Sequence, residues 1–254
     1  MIDLARTAHD SDGTAPPLLI AHGLFGSARN WGVIARRLSD RGPVVAVDMR
    51  NHGRSDWSDD HSYAAMAGDL ARVAADMGAP VDVLGHSMGG KAAMMLALRL
   101  PDLVRRLVVA DIAPVAYDHS KIHLIDAMQG LDLSKIETRR DADEQLRITV
   151  DSDDVRAFLL QSLDVADRCW HLNLDVLRNA MERITGWPDP EGRFDGPVLF
   201  LSGADSDYVG DAHRPAIDAL FSKARFARLA GAGHWLHAQK PREFEAAVRA
   251  FLDG

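Results

Sequence analysis

The sequence predicts an α/β fold: a mostly parallel central sheet covered by helices on both faces, with a helical segment inserted into it. Three observations carry this. Short β-rich runs alternate with helical patterns along the chain, and such alternation is what a parallel sheet needs, because each crossover must return over a face of the sheet. The alternation stops between residues 115 and 187, where helical patterns follow one another with no apolar strand among them. The length of 254 residues is within the range of one domain, and 47% apolar residues are enough for a sizeable core.

The candidate strands are residues 17–21, 44–48, 81–85, 107–110 and 198–201. Between the second and third, Met66, Leu70, Val73 and Met77 recur at helical spacing, and Ser62 is placed to cap the start. Near the C-terminus Phe244, Val248 and Phe251 repeat the pattern after Pro241, a residue suited to the first turn of a helix. Both stripes read as core. The expected division is a sheet domain made of residues 1–114 and 188–254, with 115–187 as an inserted helical cap. The Gly- and Pro-rich stretch GWPDPEGRFDGP then returns the chain to the next strand.

The formal charge is −8, from 29 basic and 37 acidic residues, and no basic stripe is present. Nucleic acid is therefore excluded as an expected partner. Cys169 is the only cysteine, so no intramolecular disulfide is possible. The N-terminal MIDLARTAHDSDG carries acids where a signal peptide has a basic start and an apolar run, and no segment has the length of a membrane span. A cytoplasmic location is the expectation.

The chemistry centres on Gly85-His86-Ser87-Met88-Gly89, a G-x-S-x-G pattern that follows the strand run VDVL and precedes the helical run AAMMLALRL. The five residues alone are weak. The strand-to-helix context is what a nucleophile elbow requires, since the turn is too tight for side chains beside the serine. An ordinary helix-capping serine is the bland alternative. A serine hydroxyl needs a base, and His234, in the Gly-rich GAGHWLHAQKP just before the last helix, arrives in the right chain order. His237 lies already at the start of that helix and ranks below it. An oxyanion needs backbone N–H donors from the residue after the nucleophile and from an early strand-end loop. Met88 supplies the first, and Leu24 in His22-Gly23-Leu24-Phe25-Gly26 the second, with His22 bracing the loop rather than touching substrate. The stretch Asp48-Met49-Arg50-Asn51-His52-Gly53-Arg54-Ser55 reads as a structural turn.

Metal sites fare worse. His119 and His123 have the i, i+4 spacing of helical ligands but lack the adjoining glutamate and a third ligand, and the run Asp151-Ser152-Asp153-Asp154 lacks the glycine and closing glutamate of a calcium loop. The acidic run reads as a helix cap. No metal is expected.

The segments HGLFGSARNW, DMRNHGRS, GHSMGGKA, VVADIAPV and AGHWLHAQKP resemble the α/β-hydrolases, and within them the small YbfF-type esterases, in that group's order and spacing. The resemblance spans most of the sheet domain and matches 115–187 only in kind. It implies the α/β-hydrolase fold and an esterase or thioesterase acting on a small acyl substrate without a cofactor. It also bears on the acid of the triad. In most of the superfamily the acid is the third residue after the glycine that ends the strand before the final helices, which here is Ser206 after Gly203, flanked by Asp205 and Asp207. The YbfF-type pattern points instead to the aspartate of D-I-A-P, which is Asp111.

Three other readings compete. Gly85 to Ala92 falls one position short of a phosphate-binding G-x-x-x-x-G-K-[ST], and Ala92 has no hydroxyl for magnesium. A non-enzymatic receptor on the same fold would be expected to lose part of the triad. C–C bond hydrolysis or acyl transfer would use the same residues. Met128, Phe158, Leu160, Trp170 and Trp187 are candidate walls of an acyl pocket, with packing inside the cap as the plainer role of each.

Overall fold

The computed structural model describes residues 2–254. In chain order its strands are β1 (Arg6–His9), β2 (Leu18–Ala21), β3 (Val44–Val47), β4 (Val81–His86), β5 (Val104–Ala110), β6 (Leu163–Asp164), β7 (Cys169–Trp170), β8 (Phe194–Gly203) and β9 (Phe221–Leu229). The α-helices are α1 (Gly32–Leu38), α2 (Tyr63–Asp76), α3 (Met88–Arg99), α4 (Ile122–Gln129), α5 (Arg139–Leu146), α6 (Asp153–Leu159), α7 (Leu174–Asn179), α8 (Met181–Thr185), α9 (Arg214–Leu220), α10 (Leu236–Gln239) and α11 (Pro241–Asp253). Seven strands form the main sheet in the order β1-β3-β2-β4-β5-β8-β9. Only the β1–β3 pairing is antiparallel.

The inner strands are buried on both faces, so they read as unbroken apolar runs whose alternate residues serve two cores. Leu19, Ala21, Val83, Val109 and Phe200 belong to the core that holds α2 and α3, while Leu18, Ile20, Leu84, Val108 and Leu201 belong to the one that holds α1 and α11. All five expected strands are present as β2, β3, β4, β5 and β8. The edge strands β1 and β9 were not among them. In β9 the residues Ser222, Lys223, Arg225 and Arg228 are exposed, and charge on the outer face of an edge strand erases the apolar run while discouraging pairing with other chains. Ser62 caps α2 as expected, its hydroxyl accepting the Ala65 N–H at 3.2 Å.

Residues 115–187 lie between β5 and β8 and hold α4 to α8. They also hold β6 and β7, an antiparallel pair with Leu163 opposite Trp170, which corrects the expectation of helices alone. Two-residue strands are too short to give a period. Ser152 caps α6, so the 151–154 run is indeed a helix cap. The apolar side chains of this segment, among them Ile125, Met128, Leu146, Leu159 and Leu177, merge with the α2–α3 core. The segment is stitched to the turn after β3: Gly53 N–H donates to His171 O at 2.8 Å and Asn173 N–H to Asn51 O at 3.0 Å. Among the described residues no helix is long and apolar enough to cross a membrane.

Candidate active site

Ser87 sits between β4 and α3 at φ 51°, ψ −119°, a conformation that L side chains avoid. The chain can reverse there because Gly85 and Gly89, two residues to either side, have no side chains. A Cβ on Gly85 would stand 2.3 Å from Gly89 O, and one on Gly89 would stand 2.4 Å from His22 O. The turn is held by Ser87 N–H donating to Ala110 O at 3.0 Å, which registers the serine against the end of β5.

His234 lies in the loop between β9 and α10, and its Nε2 is 3.1 Å from Ser87 Oγ. Its Nδ1 is 2.8 Å from Asp111 Oδ2. Asp111 is fully buried at the end of β5, with φ 52°, and its other oxygen accepts Gly203 N–H at 3.0 Å. Ser206, at the usual place of the acid, donates its hydroxyl to Asp111 Oδ2 at 2.5 Å. Asp205 and Asp207 are exposed. The structure thus brings Ser87, His234 and Asp111 into one hydrogen-bonded line and leaves the other two carboxylates outside it.

Two buried imidazoles surround His234. His86 Nε2–H donates to His234 O at 2.9 Å, and burial holds the His86 ring far below its usual pKa, so it serves as a neutral peg. His237 stacks on Trp31 at 4.2 Å and 10°, and burial lowers it to about 3. Tyr208 stacks on His234 itself, with centroids 4.1 Å apart and planes at 20°. Its hydroxyl, pushed up to about 12 by burial, shares a 2.6 Å hydrogen bond with His119. The Ser206 contact with Asp111 and the Tyr208 stack on His234 leave no signal in the sequence, since only the folded Gly203 loop brings them about.

Leu24 and Met88 both line the cavity above Ser87. The direction of the Leu24 N–H follows from its peptide plane. Gly23 O, on the same trans peptide, accepts from His22 Nδ1–H at 2.7 Å and from Gly26 N–H at 3.0 Å, so the Leu24 N–H must point the opposite way. His22 Nε2 in turn accepts Met49 N–H at 2.8 Å, which fixes its neutral tautomer. Gly23 lies so near the elbow that a Cβ would be 3.2 Å from Ser87 Cβ.

The cavity has a volume of about 460 Å³ and is walled by Tyr117, Val155 and Phe158 of the 115–187 segment as well as by the sheet loops. Of the five expected wall residues only Phe158 reaches it. Met128, Leu160, Trp170 and Trp187 pack inside the segment or against the core, with Trp170 Nε1–H donating to Met128 O at 3.1 Å. Lys91, the lysine of the near-match to a phosphate loop, is buried and donates to Thr185 O at 2.8 Å and Gly186 O at 2.6 Å. Burial lowers its amine to about 7, and its hydrogen bonds go to the end of α8. His119 precedes α4 while His123 lies in its first turn, so the two do not share a helix face, and no group of metal ligands occurs among the described residues.

A family model described as alpha/beta hydrolase fold matches residues 16–241. The mouse sn-1-specific diacylglycerol lipase ABHD11 is 41% identical over 99% of this chain and 85% of its own length. Esterase YbfF of Escherichia coli K12 is 39% identical over 98% of this chain and 97% of its own length. Among solved structures, a marine microorganism esterase superposes with a TM-score of 0.93 at 37% identity, covering 99% of this chain and 100% of the other.

Proposed function

We propose that this chain, which belongs to the α/β-hydrolase family and is of the YbfF type, cleaves acyl esters and thioesters through an acyl-enzyme on Ser87. Its relatives are named esterase and diacylglycerol lipase, and ester hydrolysis is the chemistry those names share. The observation that carries the residue assignment is the line Asp111–His234–Ser87, with contacts of 2.8 and 3.1 Å.

In the proposed reaction Ser87 Oγ attacks the acyl carbonyl carbon while His234 Nε2 takes its proton. Asp111 remains a carboxylate, holds the Nδ1–H tautomer and stabilises the imidazolium. The carbonyl electron pair moves to oxygen, where the N–H groups of Leu24 and Met88 receive it. Collapse expels the alcohol or thiol, which leaves with the proton from His234. Water then repeats the sequence on the acyl-enzyme and releases the acid. The Met88 N–H is the first of α3, so the helix dipole adds to the stabilisation of the oxyanion.

Residues 115–187 are assigned as a cap that sets substrate choice, a reading supported by the placement of Tyr117, Val155 and Phe158 on the same cavity as Ser87. The test is turnover of p-nitrophenyl butyrate and of the corresponding thioester. Ser87→Ala and His234→Ala should each lose several powers of ten in kcat with the fold intact. Unchanged turnover in Ser87→Ala would end the proposal.

A further inference from the structure

We infer that His52 and Ser162 are positioning residues that clamp Phe25 and thereby hold the Leu24 N–H on the oxyanion. This rests on the role proposed above for Leu24. Residues Gly23 to Gly26 form a four-residue turn closed by Gly26 N–H donating to Gly23 O at 3.0 Å. The third position of the turn is Phe25 at φ 65°, in the left-handed region where glycine is favoured. A bulky residue stays there only if its surroundings over-determine it.

Both backbone polar groups of Phe25 are held from outside the turn. Its N–H donates to His52 Nε2 at 3.2 Å, and its carbonyl accepts from Ser162 Oγ at 3.0 Å. His52 is able to accept because its Nδ1–H donates to Arg50 O at 2.8 Å, which places the lone pair on Nε2. Burial, together with the neighbouring His22 and His61, keeps the His52 ring neutral. The backbone that carries the ring is itself anchored. His52 bridges to Leu172, and the Arg50–Asp69 ion pair beside it, at 2.7 Å, is buried on both sides.

If the clamp is lost, Phe25 relaxes toward negative φ and the turn opens. Gly23 O then loses the Gly26 N–H and keeps only the His22 Nδ1–H, so the peptide that aims the Leu24 N–H is held at one point instead of two. Leu24 and Phe25 line the near side of the cavity, while the Tyr117, Val155 and Phe158 wall lies outside the turn, so the larger effect falls on the transition state. One arm of the clamp comes from the sheet domain and the other from 115–187, which ties the oxyanion donor to the seating of that segment.

The test uses His52→Phe, His52→Gln and Ser162→Ala, with kcat and KM for p-nitrophenyl butyrate and the Ki of an alkyl trifluoromethyl ketone, which forms a tetrahedral oxyanion on a serine. Misaiming one oxyanion donor should lower kcat by about 100-fold in His52→Phe, with KM within about threefold and Ki weakened in parallel. His52→Gln, which keeps an acceptor near Nε2, should recover to within about tenfold of wild type. Ser162→Ala should lose about fivefold in kcat, the size of one hydrogen bond, and provides the reading if His52→Phe does not fold. Folded variants with kcat and Ki both near wild type, or with only KM changed, would overturn the clamp. Ser87→Ala run alongside separates the two ideas, because turnover that survives there overturns the mechanism on which the clamp depends, whereas an inactive Ser87→Ala beside a fully active His52→Phe overturns the clamp alone.

Discussion

Replacing Asp111 by asparagine removes one charge and no heavy-atom volume, yet the surroundings dictate which way the amide turns. Gly203 N–H needs an acceptor at the Oδ1 position, 3.0 Å away, so the amide oxygen settles there and the NH₂ faces Ser206 and His234. Ser206 can rotate its hydroxyl and accept. His234 cannot adapt without cost: with a donor 2.8 Å from Nδ1, its proton moves to Nε2, the atom that receives the serine proton in the proposed reaction. The expected loss in kcat is about 10⁴-fold, or about 5.4 kcal/mol on the barrier, the size associated with the wrong imidazole tautomer. The opposite flip would set two donors against each other at Gly203 in a buried site, which costs about 1–3 kcal/mol of stability. The assay is kcat on p-nitrophenyl butyrate, with urea denaturation to confirm folding. Asp205→Asn and Asp207→Asn, both on exposed side chains, should stay within about tenfold of wild type. A folded Asp111→Asn that keeps kcat within tenfold, or the reverse ranking of the three, would show that Asp111 does not set the His234 tautomer.

Two further outcomes follow from the buried rings and the cavity wall. His61 and His237 are both lowered from 6.5 to about 3 by burial, so the unfolded chain takes up their protons first as pH falls. Their contribution to stability is full above about pH 6.5 and declines toward pH 3, each by up to about 1.4 kcal/mol per pH unit. His237→Phe keeps a ring against Trp31 and should flatten the stability slope between about pH 6 and 4 by roughly that amount, read by urea unfolding at several pH values. Phe158→Ala should shift the kcat/KM ratio of octanoyl to acetyl esters by about tenfold. An unchanged ratio would make Phe158 a packing residue only.

How far these features could be read from the sequence depended on whether their cause was local. Ser87 was legible because the elbow is a local constraint: a Cβ at Gly85 or Gly89 would stand only 2.3 or 2.4 Å from a backbone oxygen, and that requirement is written in the chain as G-x-S-x-G between a strand and a helix. The inner strands were legible because burial on both faces leaves unbroken apolar runs. β1 and β9 were not, since an edge strand carries charge and shows only half a pattern. The proposed acid could be assigned to Asp111 over Asp205 and Asp207 chiefly through a family likeness, because carboxylate identity says nothing of direction. Its direction is set by Gly203 and Ser206, over 90 residues away. The same limit hid His52, whose partner Phe25 is 27 residues off, and left open which of the five candidate walls face the cavity and which pack inside. Apolar type marks a residue for burial without saying whether it faces a cavity or a neighbouring helix.

The most direct measurement is the site of covalent capture by a fluorophosphonate, read by intact mass and then by peptide mapping. A single adduct on Ser87 is expected, formed rapidly in wild type, slowed by orders of magnitude in His234→Ala and absent in Ser87→Ala. Labelling of Ser87→Ala at the wild-type rate, or an adduct mapped to any other residue, would contradict that expectation.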